Sequence, residues 1–325
     1  MSRTQRIVIL VFGWFCVIPL SAEQDACQQR TVIVSLGTKD GTPIPELART
    51  NLEGTCRKKP VDITSAIFNQ DPPRVILLLD IRGSMDNSTS NFDRNLSQNV
   101  AENLISSLPP DSEIGLGFFY KEFTPVALPS TNRTILKLQM EALRSHPASF
   151  RGKTALWTGI LKAVKMFNHP HSGDAIYVIT DGGDNASDTT MKHVVQTLRE
   201  LDIRLFAFVF RRLAGASPEE QLGLGSVLEA VEETGGTIIS LQDDIRGDFS
   251  GVHGSADIYK SGRLTEFGSR LGSQYRQISN FYRVQINLPE RVDKSQDWRL
   301  DLAGFSKSQR DKLVLRYPHK FVPCH

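Results

Sequence analysis

After its first twenty or so residues the chain has no long apolar run, which argues against a membrane span in the rest of the protein. It has no excess of charge of one sign either. Against 38 Lys and Arg stand 36 Asp and Glu, a net +2, so no long-range field gathers nucleic acid. The nearest basic cluster, Arg57, Lys58 and Lys59 ahead of Pro60, reads as a solvated turn. Cysteine is scarce, with four in 325 residues, and no C-x-x-C spacing supports zinc or redox chemistry. The seven histidines are dispersed; His169 and His171, flanking Pro170, are expected in a solvated loop. There is no internal repeat and no low-complexity tract. What is present, 40% hydrophobic and 23% charged residues, is the composition of an ordinary globular protein.

Arg3 and Arg6 precede the apolar run Ile7 to Leu20, and small residues follow at Ser21 and Ala22. Residues 1–22 are therefore expected to be an export signal, because the run falls short of the roughly 20 residues a spanning helix needs. The expected location is periplasmic or extracellular. Without the signal, Cys27, Cys56 and Cys324 remain, so one disulfide can form by any of three pairings. The leftover thiol is free, buried or intermolecular.

From Arg74 onward, apolar runs alternate with amphipathic stretches, the pattern of parallel strands joined by crossover helices. Val75 to Leu79 lacks polar alternation and is expected as a central strand buried on both faces. Leu96, Val100, Leu104 and Leu108 recur every fourth residue, which predicts a helix from about Asn91 to Leu108, ended by Pro109 and Pro110. Further strands are expected at Ile114–Tyr120, Ala175–Thr180, Ile203–Phe210 and Thr237–Ser240. Helices are expected near 134–143, 156–167, 189–201 and 218–233. Phe123 to Leu128 reads as an edge strand, since Pro125 cannot donate a ladder hydrogen bond. The expected fold is α/β, a doubly wound and mostly parallel sheet with helices on both faces. Outside it, strand-like segments at Thr31–Ser35, Tyr282–Leu288, Trp298–Leu302 and Leu313–Tyr317 predict a small β-rich flanking domain built from both ends of the chain. The expected divisions are a signal at 1–22, a β-rich segment at 23–73, the α/β domain at 74–245, and at 246–325 a helix plus β segments that pack with the N-terminal segment.

Oxygen-bearing side chains stand just past the expected strand ends: Asp80 and Ser84 in DIRGSMD, Thr154 in RGKTALW and Asp181 in VITDGGDN. In open α/β sheets ligands collect at the carboxyl ends of the strands. Two carboxylates with hydroxyls suit a hard divalent ion, and the neighbouring Gly83, Gly152, Gly182 and Gly183 let backbone approach closely.

These residues resemble the von Willebrand factor type A family, whose metal-ion-dependent adhesion site uses an Asp-x-Ser-x-Ser loop, a distant Thr and a distant Asp. Asp80 and Ser84 match the first and last positions of the loop, Thr154 the Thr and Asp181 the second Asp. The resemblance implies a Rossmann-like domain that binds Mg2+ or Mn2+ and, through the ion, a protein or other extracytoplasmic macromolecule. It places Arg82, Met85, Asp86, Lys153, Gly182, Gly183 and Asp184 on the partner-binding surface. Arg82 departs from the pattern by standing where the first Ser belongs. Its guanidinium either pairs with both carboxylates in place of the ion or swings to solvent and leaves a weaker metal site. The phrase from Arg270 to Pro289 is also similar to an exported group of the family described from acidobacteria.

Other chemistry has less support. Ser84 lies in no GxSxG elbow, Gly223 to Gly225 opens no strand-linked helix and lacks a third glycine, and the pairs Glu232–Glu233 and Asp243–Asp244 read as solvated faces. Trp157, Phe167, Phe206, Phe208 and Phe210 read as core. Sequons at Asn87, Asn95, Asn132 and Asn185 would matter only in a eukaryotic secretory route, and the reading favours a bacterial source. The leading expectation is a non-enzymatic binding protein. The alternatives are an envelope assembly protein with an inactive metal site and a hydrolase using a metal-activated water.

Overall fold

The computed structural model describes residues 27–81, 92–145, 153–211, 218–242 and 262–324. The expected signal, residues 1–22, lies outside them. Three strands come first: β1 (Gln29–Thr38), β2 (Leu52–Cys56) and β3 (Lys59–Phe68). Then β4 (Arg74–Asp80), β5 (Glu113–Phe119), β6 (Phe123–Ser130), β7 (Ala175–Thr180), β8 (Arg204–Arg211) and β9 (Ile238–Gln242) build one sheet in the order β6-β5-β4-β7-β8-β9. All its neighbours pair in parallel except β6, which closes one edge antiparallel to β5. The proline-bearing strand is thus an edge strand, as its missing donors require.

Among the described residues six helices cover this sheet: α1 (Phe92–Ser107), α2 (Arg133–Ser145), α3 (Leu156–Val164), α4 (Met191–Glu200), α5 (Pro218–Glu233) and α6 (Gly262–Ser279). Successive strand residues point to opposite faces. Leu77 and Leu79 of β4 meet Leu96, Val100 and Leu104 of α1, Met140 of α2 and Leu271 of α6 on one side. Ile76 and Leu78 meet Ile160 of α3, Leu198 of α4 and Val227 of α5 on the other. A strand buried on both faces has no polar face to show, which is why β4 reads as unbroken apolar sequence.

Both ends of the chain join in a second, seven-stranded sheet, with β10 (Tyr282–Asn287), β11 (Gln296–Leu302), β12 (Leu313–Arg316) and β13 (Lys320–Phe321) in the order β12-β1-β10-β3-β2-β11-β13. Every pairing in it is antiparallel. Because β1 lies between β12 and β10, and β10 between β1 and β3, neither end forms this sheet alone. Cys27 and Cys324 close it with a disulfide, which selects one of the three pairings. The leftover Cys56 is buried in β2, and burial pushes its thiol pKa up. That position removes the intermolecular use of the thiol, which needs an accessible thiolate.

The hairpin β2–β3 was not expected from sequence. Cys56 pairs with Lys59 across a two-residue turn in which Arg57 (φ 50°) and Lys58 (φ 66°) are both left-handed. That conformation ordinarily calls for Asn-Gly, so the usual hairpin signal is missing. The basic cluster is exposed, but it is not merely solvated, since Arg57 and Lys59 both reach Glu290.

Helix α6 fastens the two units together. Gln274 is buried; its Nε2 donates to Ala207 O (3.1 Å) and Thr237 O (2.7 Å), and its Oε1 accepts from Tyr177 OH (2.7 Å). Tyr275 OH donates to Val100 O at 3.2 Å. At the end of the helix, fully buried Arg204 donates to the carbonyls of Gln277, Ile278 and Gly173 and lies over the Phe281 ring at 4.1 Å. A cation at the last carbonyls of a helix opposes their partial negative charge.

Candidate functional site

The register of the central sheet fixes the site. Leu79 pairs with Ile179, so Asp80 and Thr180 stand level at the carboxyl ends of adjacent strands, with Asp181 one residue beyond. Thr180 Oγ1 donates to Asp80 Oδ2 at 2.9 Å and accepts from the Gly182 amide at 3.0 Å, while the Gly183 amide donates to Asp181 Oδ1 at 3.1 Å. Asp80 and Asp181 are both buried.

Thr154 reaches the same edge from the loop before α3. The Ala155 amide donates to Tyr120 O (2.7 Å) and the Ile81 amide to Phe119 O (3.0 Å), which ties the ends of β4, β5 and this loop together. The loop after β7 is laced to it. Thr154 N donates to Asn185 Oδ1 (2.8 Å), and Thr154 O accepts from the amides of Asn185 and Ala186. Asp184 Oδ1 accepts from the Leu156 amide at 2.8 Å, placing a carboxylate at the start of α3, where the helix dipole favours it.

One atom in this tightly paired region is left over. Thr154 is fully buried, and its Oγ1 has no hydrogen-bond partner among the described residues. An unpaired buried hydroxyl costs about 1–3 kcal/mol, so its retention calls for a reason. The donors gathered here are carboxylates and a hydroxyl, the oxygen set a hard divalent ion takes. Among the described residues no group of three or more His, Cys, Asp and Glu could hold a metal ion.

Of the residues expected at the site, the structure brings Asp80, Thr154 and Asp181 to one edge. Ser84, Arg82, Met85 and Asp86 lie outside the described residues. Gly182 and Gly183 are buried, Asp184 is half-buried and Lys153 is exposed. The role of Gly223 was not foreseen. A Cβ there would fall 1.9 Å from the carbonyl oxygen of Gly182, itself at φ 85°, so α5 lays bare backbone against the loop after β7. The signal available in sequence was a glycine in a helix, which costs about 1 kcal/mol against alanine and so asks for a packing reason.

A doubly wound sheet with buried oxygen donors at the carboxyl ends of its middle strands belongs to the class of open α/β domains, in which ligands collect at the strand-end loops. The particular domain follows from comparison: residues 75–228 match the family model described as von Willebrand factor type A domain, and the chain carries that domain. Among curated proteins none matches the sequence. A von Willebrand factor type A structure from Catenulispora acidiphila is 10% identical over 91% of this chain and 75% of that one, with a TM-score of 0.46. The conserved hypothetical protein BatB from Bacteroides thetaiotaomicron is 15% identical over 60% of this chain and 99% of its own, with a TM-score of 0.40. Proximal thread matrix protein 1 from the mussel byssus, with a zinc-occupied MIDAS motif, is 17% identical over 57% and 47%, with a TM-score of 0.42. Similarities at this level add nothing about ligands, and the domain assignment rests on the family match.

Proposed function

We propose that the protein is an exported, non-enzymatic binding protein. Its type A domain takes a protein or other extracytoplasmic macromolecule at the loops around Asp80, Thr154 and Asp181. The observation that carries this reading is the fully buried Thr154 Oγ1, without a hydrogen-bond partner among the described residues, at the edge where Asp80 ends its strand and Asp181 follows the next. Mg2+ or Mn2+ is the ion these oxygens would hold. It would supply a positive centre to which an acidic group of the partner adds as a further oxygen ligand. The chain's own residues do the positioning: Thr180 orients Asp80, the Gly183 amide orients Asp181, and Asn185 holds the backbone of Thr154. Lys153 is the exposed charge beside the edge and would meet an acidic partner directly.

Export is supported by the Cys27–Cys324 disulfide, a bond that persists in oxidising compartments. No helix among the described residues is long and apolar enough to cross a membrane. The test is cross-linking and pull-down from the extracytoplasmic fraction with wild-type protein and Asp181→Ala, in Mg2+ and in chelator. A partner captured by the wild type and lost with Asp181→Ala supports the reading. Capture of the same partner by both proteins contradicts it.

A further inference from the structure

Among the described residues the central sheet ends at β9, which pairs with β8 on one side only. Ala207 stands opposite Ile238 and its amide donates to Thr237 O at 3.1 Å, so the ladder to β8 runs through Thr237, Ile239 and Leu241. The N–H and C=O of Ile238 and Ser240 therefore point away from the sheet. Neither backbone has a hydrogen-bond partner on that side among the described residues, and both residues are half-buried. An open groove of about 630 Å3 runs along the start of this edge, bounded by Thr237, Ile238 and Ile239, by α6 and by the turn after β1. The groove is positive. Lys39 of the turn, Arg270 of α6 and Arg316 of β12 line it against one carboxylate, Asp40. Lys39 and Arg270 are exposed and form no ion pair among the described residues, whereas Asp40 is already held by the hydroxyls of Thr38 and Thr42. Glu233, expected on a solvated face, instead pairs with Arg199 and Lys320, and exposed Glu232 lies near Arg316.

We propose that β9 accepts a short, extended, acidic segment of a partner protein as a further strand, with alternate carboxylates turned to Lys39 and Arg270 and apolar side chains on the face of Ile238. Alternating N–H and C=O groups on a free strand edge are matched by another backbone, whereas a small anion would use only the donors. Side chains of an added strand alternate between the two faces of the sheet. On one face lies α6, which carries Arg270 and whose Arg276 holds the carbonyls of Asp40 and Gly41 beside Lys39. On the other, Ile238 packs against the apolar cluster opposite α6. A segment that alternates acidic and apolar residues satisfies both. The five residues of β9 span about 17 Å, which sets the length of the segment it can pair. The groove lies towards the amino end of the sheet, so this binding needs no cation at the Asp80 edge.

The experiment titrates the mature, disulfide-bonded chain with a labelled synthetic hexapeptide of alternating glutamate and valine, in chelator and at fixed ionic strength. Anisotropy reads the binding, and hydrogen exchange reads the amides of Ile238 and Ser240. The peptide is expected to bind saturably and to slow exchange at both amides. Methylating every amide nitrogen of the peptide removes its donors, and replacing its glutamates by lysines reverses its charge; each should weaken binding about tenfold or more. Arg270→Glu, a change at an exposed helix position, should weaken the glutamate peptide by a similar factor, while Asp181→Ala should leave it unchanged. Binding that leaves the Ile238 and Ser240 amides unprotected overturns the proposal, as does equal affinity for the methylated or the lysine peptide. Displacement of the peptide by equimolar inorganic phosphate assigns the groove to small anions and also overturns it. So does protection of the same amides that grows with protein concentration in the absence of peptide, which would assign the edge to a second copy of the chain.

Discussion

The two ends of the central sheet solve opposite problems. At the carboxyl end, buried oxygens of Asp80, Thr154 and Asp181 gather where hydrogen bonds lace neighbouring strand ends and loops, and the Thr154 hydroxyl has no partner among the described residues. At the amino end, buried Arg204 ties β8 to the last carbonyls of α6, so the two sheets are held across a long stretch of sequence. The difference teaches where each kind of polar burial belongs. Positive charge set against helix-end carbonyls serves as a fastener, whereas acidic oxygens with a spare acceptor make a place for something to bind.

The largest expected effect is on the fastened end. Reducing Cys27–Cys324, whose separation is 297 residues, should cost up to about 5 kcal/mol by restoring chain entropy to the unfolded state. Denaturant melts with and without reductant measure it, and a midpoint that does not move would break the idea that the ends of the chain depend on each other. Arg204→Met should cost about 3 kcal/mol, since three buried carbonyls lose a charged donor. Cation and partner binding at the far edge should remain, which is the comparison at its sharpest.

Gly223→Ala should cost about 2 kcal/mol through overpacking against Gly182 O. Unlike Arg204→Met, it should also displace the loop carrying Asp181 and weaken Mn2+ binding in the same preparation. Equal binding by Gly223→Ala and wild type would separate α5 from the site.

Asp202→Asn should change stability in the other direction. Burial raises the folded carboxyl pKa from 3.8 to about 6, so the folded state holds a proton the unfolded chain has released between those values. The penalty for the ionised side chain is therefore full above pH 6 and fades as pH falls through 6 towards 3.8. Replacement by Asn should stabilise by about 2 kcal/mol at pH 7.5 and by almost nothing at pH 3.8. Asn also accepts the φ of 52° that Asp202 adopts. A gain independent of pH would contradict the assignment. The smallest effect is that of Lys153→Ala, which should leave the melt unchanged and slow partner association.

Much of this was legible in the sequence, for identifiable reasons. The apolar runs of β4 and β7 and the four-residue spacing in α1 survive in the structure because burial on both faces, or on one helix stripe, leaves a residue-type signature. Asp80 and Asp181 could be read because they end such runs. The β2–β3 hairpin could not, because Arg57 and Lys58 occupy a turn that ordinarily announces itself with glycine. Nor could the lacing of Asn185 to Thr154, or the close approach of Gly223 to Gly182, since each depends on two distant segments meeting. The phrase from Arg270 to Pro289 is visible in sequence only as a resemblance; Gln274 and Tyr275 within it satisfy donors and acceptors of strands and a helix far away in sequence.

The most direct test of the acidic edge is calorimetric titration of Mn2+ into wild-type protein and Thr154→Val, with unfolding of both followed in chelator. The substitution keeps the shape and removes a hydroxyl that has no partner among the described residues. Thr154→Val should therefore be as stable as wild type without metal, or more so, yet bind Mn2+ about tenfold or more weakly. Equal Mn2+ affinity in the two proteins, or a Thr154→Val protein destabilised in chelator, would contradict the claim that the spare oxygen of Thr154 belongs to a cation.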